Sequence, residues 1–68
     1  MIKNKIGENA GKVWNALDES RELSINELMK KTQLNNKEIH LALGWLSKEN
    51  KVHFFETNNE TKICLIEN

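Results

Sequence analysis

Ser24-Ile25-Asn26-Glu27 and Asn35-Asn36-Lys37-Glu38 carry the same local signal twice in quick succession. In each, a side-chain oxygen at the first position is placed to accept the amide hydrogen three residues on. The glutamate at that third position reaches back to the first amide, which makes a capping box. Each box predicts a helix start. Ile25, Leu28 and Met29 supply the apolar face of a short helix ending near Lys31. Thr32-Gln33-Leu34 form the turn, and Ile39, Ala42, Leu43 and Leu46 form the stripe of a longer helix ending around Glu49-Asn50. Asn50 stands where a left-handed cap is expected.

Upstream, Ile6, Ala10, Val13, Trp14 and Leu17 recur at three- and four-residue spacing and predict a first helix over Ile6–Leu17. Asp18-Glu19-Ser20-Arg21 breaks that stripe and reads as a connector. Downstream the period falls to two. Val52-His53-Phe54-Phe55-Glu56 and Thr61-Lys62-Ile63-Cys64-Leu65-Ile66 flank a polar tip, Thr57-Asn58-Asn59-Glu60. A two-residue Asn58-Asn59 turn pairs Phe54 with Ile63 and Val52 with Leu65. That register puts these four side chains on one face, against the helices. The other face then carries His53, Phe55, Lys62, Cys64 and Ile66, an apolar set for a solvent side. The expected architecture is α+β: three helices followed by a two-stranded hairpin, in a single domain over residues 1–68.

Composition narrows the roles. A chain of 68 residues buries only about 60% of its unfolded surface, so its stability is modest. Small scaffolds often gain stability from disulfides, metals or oligomerisation. Cys64 is the single cysteine, so an internal disulfide and a thiolate zinc cluster are out of reach, and a homodimer is the expected reinforcement. Ten Lys and Arg balance ten Asp and Glu. That neutrality weakens the case for nucleic acid, because affinity there comes mainly from phosphate neutralisation. No apolar run approaches a bilayer span, and Met1-Ile2-Lys3-Asn4-Lys5-Ile6 lacks the apolar core of a signal peptide. A cytoplasmic location, with no membrane partner and no small-molecule substrate, is the expectation.

The segment from Leu23 to Val52, L-S-I-N-E-L-M-K-K-T-Q-L-N-N-K-E-I-H-L-A-L-G-W-L-S-K-E-N-K-V, resembles the winged helix-turn-helix superfamily. In that pattern the second helix supports the third, a leucine (here Leu34) fills the turn, and a hairpin wing follows. The opening I-G-E-N-A-G-K-V-W-N-A-L is similar to a small bacterial family of stand-alone winged-helix proteins of unknown function. The resemblance implies a DNA-binding or transcription-regulatory module. Two positions depart from the pattern. Gln33 stands where glycine is usual, and the outward face of the third helix carries Leu41 and Trp45 where DNA-binding relatives place polar and basic groups.

Two surfaces follow. The DNA candidates are Lys37, His40, Lys48 and Lys51 with Asn58, Asn59 and Lys62 on the wing: lysines for phosphate, Asn and His for base edges. Glu38, Glu49, Glu56 and Glu60 lie nearby and oppose phosphate, so an ordinary solvated surface is the competing reading. The association candidates are Leu41 and Trp45, and on the outer hairpin face Phe55, Cys64 and Ile66. Their competing reading is packing: Trp45 over the core edge or beneath the wing, the outer wing beneath Ile2 to Ile6. The alternative function is therefore a homodimeric protein–protein interaction module without DNA binding. His40, His53 and Cys64 show no recurring ligand spacing, so no metal or cofactor is expected. No nucleophile–base set or phosphate-cradling loop marks an enzyme.

Overall fold

A computed structural model describes residues 2–66, with the side chains of Ile2 and Lys3 outside the description. The elements are α1 (Ile2–Ser20), β1 (Glu22–Ser24), α2 (Ile25–Thr32), α3 (Asn36–Lys48), β2 (Val52–Thr57) and β3 (Glu60–Leu65).

Both capping boxes form. The Glu27 amide donates to Ser24 Oγ at 3.2 Å while the Ser24 amide donates to Glu27 Oε1 at 2.9 Å. The Asn35 box repeats this, with the Glu38 amide 2.8 Å from Asn35 Oδ1 and the Asn35 amide 3.0 Å from Glu38 Oε1. Between them Gln33 takes the left-handed conformation, φ 62°, and its amide donates to the Met29 carbonyl at 2.9 Å. Thr32 Oγ1 donates to the Leu28 carbonyl and accepts from the Leu34 amide, which fixes the turn and sends Leu34 inward.

The first helix is longer than its stripe predicts. It begins by Ile2 and runs through Gly7 and Gly11 to Ser20. Packing against α3 offsets the roughly 1 kcal/mol that a mid-helix glycine costs relative to alanine. Arg21, φ 69°, ends the helix in the left-handed region, with its amide donating to the Leu17 carbonyl.

The sheet holds a strand beyond the expected pair. β1 lines up antiparallel with β3, giving the order β1-β3-β2. Leu23 pairs with Ile63 and Glu22 with Cys64. The hairpin register is the expected one, Phe54 opposite Ile63 and Val52 opposite Leu65, around Asn58 and Asn59 at φ 50° and 62°. Two consecutive left-handed residues make the tight turn whose twist suits a hairpin.

The core gathers Ala10, Val13, Leu17, Leu23, Leu28, Ile39, Leu43 and Ile63 among its buried side chains. One expected member departs: Phe54 is 42% exposed, although its cross-strand partner Ile63 is fully buried. Ile63 lies on the central strand, beneath the helices; Phe54 lies on the edge strand, at the limit of their cover.

Ile63→Val removes one methyl group from the packed centre and should cost about 0.5–1.5 kcal/mol. A Cβ at Gly11 would meet nothing within 4 Å, so Gly11→Ala should stabilise the chain by about 0.5–1 kcal/mol. Urea denaturation of both variants checks the pair of values.

Candidate nucleic-acid interface

α3 points its stripe of Ile39, Ala42, Leu43 and Leu46 inward. At 100° per residue the opposite side carries Lys37, Leu41, Gly44 and Lys48, with His40 on its flank; all five are exposed. Gly44 sits in the middle of this surface, and a Cβ there would meet open space to 4 Å. A neighbouring molecule can therefore approach the α3 backbone closely at this point.

The carboxylates that oppose phosphate are partly occupied. Glu38 is half-buried, and its Oε1 is turned back to the Asn35 amide. Glu49 lies 3.8 Å from Lys51 Nζ, an exposed pair that neutralises both groups locally. Glu56 and Glu60 remain exposed on the wing.

His40 has a defined hydrogen bond. Its Nδ1 lies 2.8 Å from the Asn36 carbonyl oxygen, and a carbonyl only accepts, so Nδ1 carries the proton. With Nδ1 so engaged, Nε2 is the ring nitrogen left for a neighbouring molecule.

The remaining candidates are placed unevenly. Asn58 and Asn59 sit exposed at the wing tip. Lys62 turns away: it projects from the outer sheet face, half-buried, with Nζ 3.3 Å from Glu27 Oε1. Its ammonium is engaged with α2, which removes it from the group on α3. Trp45 is half-buried and folds back toward α1, its Cζ2 3.9 Å from where a Cβ on Gly7 would stand. Leu41, 44% exposed, borders a hollow of about 250 Å³ with Ile6, Asn9 and Glu38. The Leu41–Trp45 pair therefore straddles the α1–α3 junction, and Trp45 takes the packing role. On the outer sheet face Phe55 and Cys64 are half-buried, and the His53 and Phe55 rings stack at 6.1 Å. Ile66 is 41% exposed, with its amide donating to the Lys51 carbonyl. The outer wing is not sheltered by Ile6, which lies beside Leu41 and Lys37; Ile2 and Lys3 fall outside the described side chains.

Gly44 and Phe54 were not singled out by residue type. For Gly44 the available signal is position alone, four residues after His40 on the exposed side. Among the described residues, no cluster of three or more His, Cys, Asp or Glu is placed to hold a metal, and no helix is long and apolar enough to cross a membrane.

A capped helix-turn-helix with a β-hairpin packed behind it defines a winged helix-turn-helix domain. The chain belongs to the winged helix-turn-helix domain family DUF2582, whose model matches residues 1–65. Protein BT2368 from Bacteroides thetaiotaomicron, solved by solution NMR, is 45% identical with a TM-score of 0.86, covering 96% of this chain and 79% of that one. The uncharacterized protein MJ1608 of Methanocaldococcus jannaschii is 32% identical over 63 residues, 90% of each chain. An archaeal relative extends the resemblance beyond the bacterial family that the opening segment resembles. The Zα domain of Carassius auratus PKZ, solved in complex with Z-DNA, has the same fold, with a TM-score of 0.77 at 15% identity over 90% of this chain and 97% of that one.

The Glu27 carboxyl is held below the usual carboxylate range, chiefly by the Ser24 amide, then by Lys62 and the Ser24 hydroxyl. A lowered value in the folded state means this contribution is present above the unfolded carboxylate value. It is lost as pH falls through the folded value. Lys62→Met should move the NMR titration midpoint of Glu27 upward while leaving it below that of an unpaired glutamate, because the Ser24 amide remains.

Proposed function

We propose that this domain binds double-stranded DNA, with α3 and the wing tip as its contact surface, and acts as a small regulatory module in the cytoplasm. Residues 1–68 are taken as one functional unit that binds rather than catalyses. The observation that carries this reading is the outward side of α3. Lys37, Lys48 and His40 surround an unobstructed Gly44, and the neighbouring Glu38 is folded into its own cap. Lysines at such positions contact phosphates, and the open glycine lets a duplex backbone come near the helix. Asn58 and Asn59, at the exposed turn, supply amide donors and acceptors to a second contact. The fold shared with the DNA-bound Zα domain adds support, as an analogy of scaffold.

Zero net charge makes the binding modest and local, because few phosphates are neutralised. Lys51, tied to Glu49, is a weaker contributor than Lys37 or Lys48. Leu41 beside the lysines favours apolar contact with a thymine methyl or a sugar face over a second charged contact. A protein-interaction role is the second reading, favoured by the exposure of Leu41 and Phe54.

Fluorescence anisotropy with a labelled duplex at several salt concentrations tests the proposal. Affinity should fall with salt, and Lys37→Ala or Lys48→Ala should each reduce the log–log slope by about 0.9 for one lost phosphate contact. Gly44→Ala should raise thermal stability, by about 0.5–1 kcal/mol, yet weaken binding, since the added methyl group stands where the duplex approaches. Binding that is absent at low salt, or that is indifferent to all three changes, would overturn the DNA reading.

A further inference from the structure

We infer that the free edge of β2 pairs antiparallel with β2 of a second copy of this chain, joining two three-stranded sheets into one of six strands about a two-fold axis at Phe54. The inference goes beyond DNA binding and does not depend on it.

The free groups are identified by parity. The Ile66 amide donates to the Lys51 carbonyl at 2.9 Å, so Lys51 turns its carbonyl toward β3. In an antiparallel pair, residues alternate between those bonded to the partner strand and those facing away. His53, Phe55 and Thr57 therefore share the parity of Lys51 and bond β3. Val52, Phe54 and Glu56 turn their amide and carbonyl groups to the open side. β2 is the edge strand in the order β1-β3-β2. Among the described residues, no turn, loop or cap hydrogen bond uses these three residues' backbone.

The edge lacks the devices that normally block pairing. It carries no proline, lysine or arginine between Val52 and Thr57, and Glu56 is its single charged residue. The other sheet edge, β1, is only three residues long. The chain's zero net charge imposes no long-range repulsion between copies.

Self-pairing also gives the exposed rings partners. A two-fold axis normal to the sheet requires a residue to face its own counterpart, and the open parity selects Phe54 as the central one. Phe54 then pairs with the partner's Phe54, and Val52 with the partner's Glu56, so the three open residues of each strand all enter the ladder. On the inner face the two Phe54 rings, each 42% exposed in one chain, cover one another. On the outer face His53 stands opposite the partner's Phe55, which extends the His53–Phe55 stack into a cluster of four rings. Neither Lys37, His40 nor Gly44 belongs to this edge.

Amide hydrogen exchange on the unmodified protein, at dilute and millimolar concentration, reads the pattern directly. Protection should grow with concentration at Val52, Phe54 and Glu56, while His53, Phe55 and Thr57 stay protected throughout. Sedimentation equilibrium should show a monomer–dimer equilibrium. Phe54→Glu and Phe54→Lys should each weaken self-association by at least about tenfold, because like charges then face each other across the axis. An equimolar mixture of the two variants should regain it. A protein that is monomeric at every concentration overturns the inference. So does a dimer whose three open amides never gain protection, or a mixture no stronger than either variant alone. The DNA reading is scored separately: Lys37→Ala should leave the dimer intact, and loss of the dimer should leave the Lys37 salt effect in place.

Discussion

Burial of one central residue row holds this domain together. Ile63 lies on the middle strand, between Leu23 of β1 and Phe54 of β2, and the helical residues Val13, Leu17, Leu28 and Ile39 are buried in the same cluster. A chain this short has little apolar surface to spare, and its single cysteine closes no bridge. Each element is therefore held by a face it shares with others. α1 lies against α3, α2 braces α3 through the turn at Gln33 and Leu34, and β3 binds both β1 and β2. The orientation of the exposed side of α3 is a consequence of that packing.

Much of this was legible in the residues because the signals were local. Each capping box needs only four consecutive positions, and both formed with the expected partners. The hairpin register followed from two asparagines able to take left-handed conformations, and Asn50 ended α3 in the same region at φ 57°. The three-residue strand β1 was illegible for a physical reason. Glu22-Leu23-Ser24 is too short to show alternation, and Ser24 already serves as the N-cap of α2, so its strand pairing comes only from β3. The early start of α1 was hidden because no capping signal marks it: Lys3-Asn4-Lys5 is polar, and the stripe that predicts the helix is counted only from Ile6.

The surface was harder to read, because side-chain direction on an exposed face depends on distant partners. Lys62 resembles a phosphate contact in sequence, yet 35 residues upstream Glu27 holds it on the other side of the sheet. Glu38 resembles a repulsive charge, yet its cap draws it back. Phe54 fits the inward alternation and does point to the inner face, but alternation reports only a face. It carries no information on whether helices extend far enough to cover that face at the edge strand.

Neutral composition and the proposed duplex contact are compatible once charge is considered by position. Three pairs, Glu19–Lys31, Glu27–Lys62 and Glu49–Lys51, place equal and opposite charges together away from the centre of α3. Lys37 and Lys48, roughly three turns apart on one helix, are the exposed lysines at either end of the side that carries Gly44. With so few cations, the proposed duplex contact would be weak in one copy. A two-fold assembly carrying two such helices gains from effective concentration, provided that both reach one duplex. The inferred edge-paired dimer would couple two such surfaces without engaging the residues that form them.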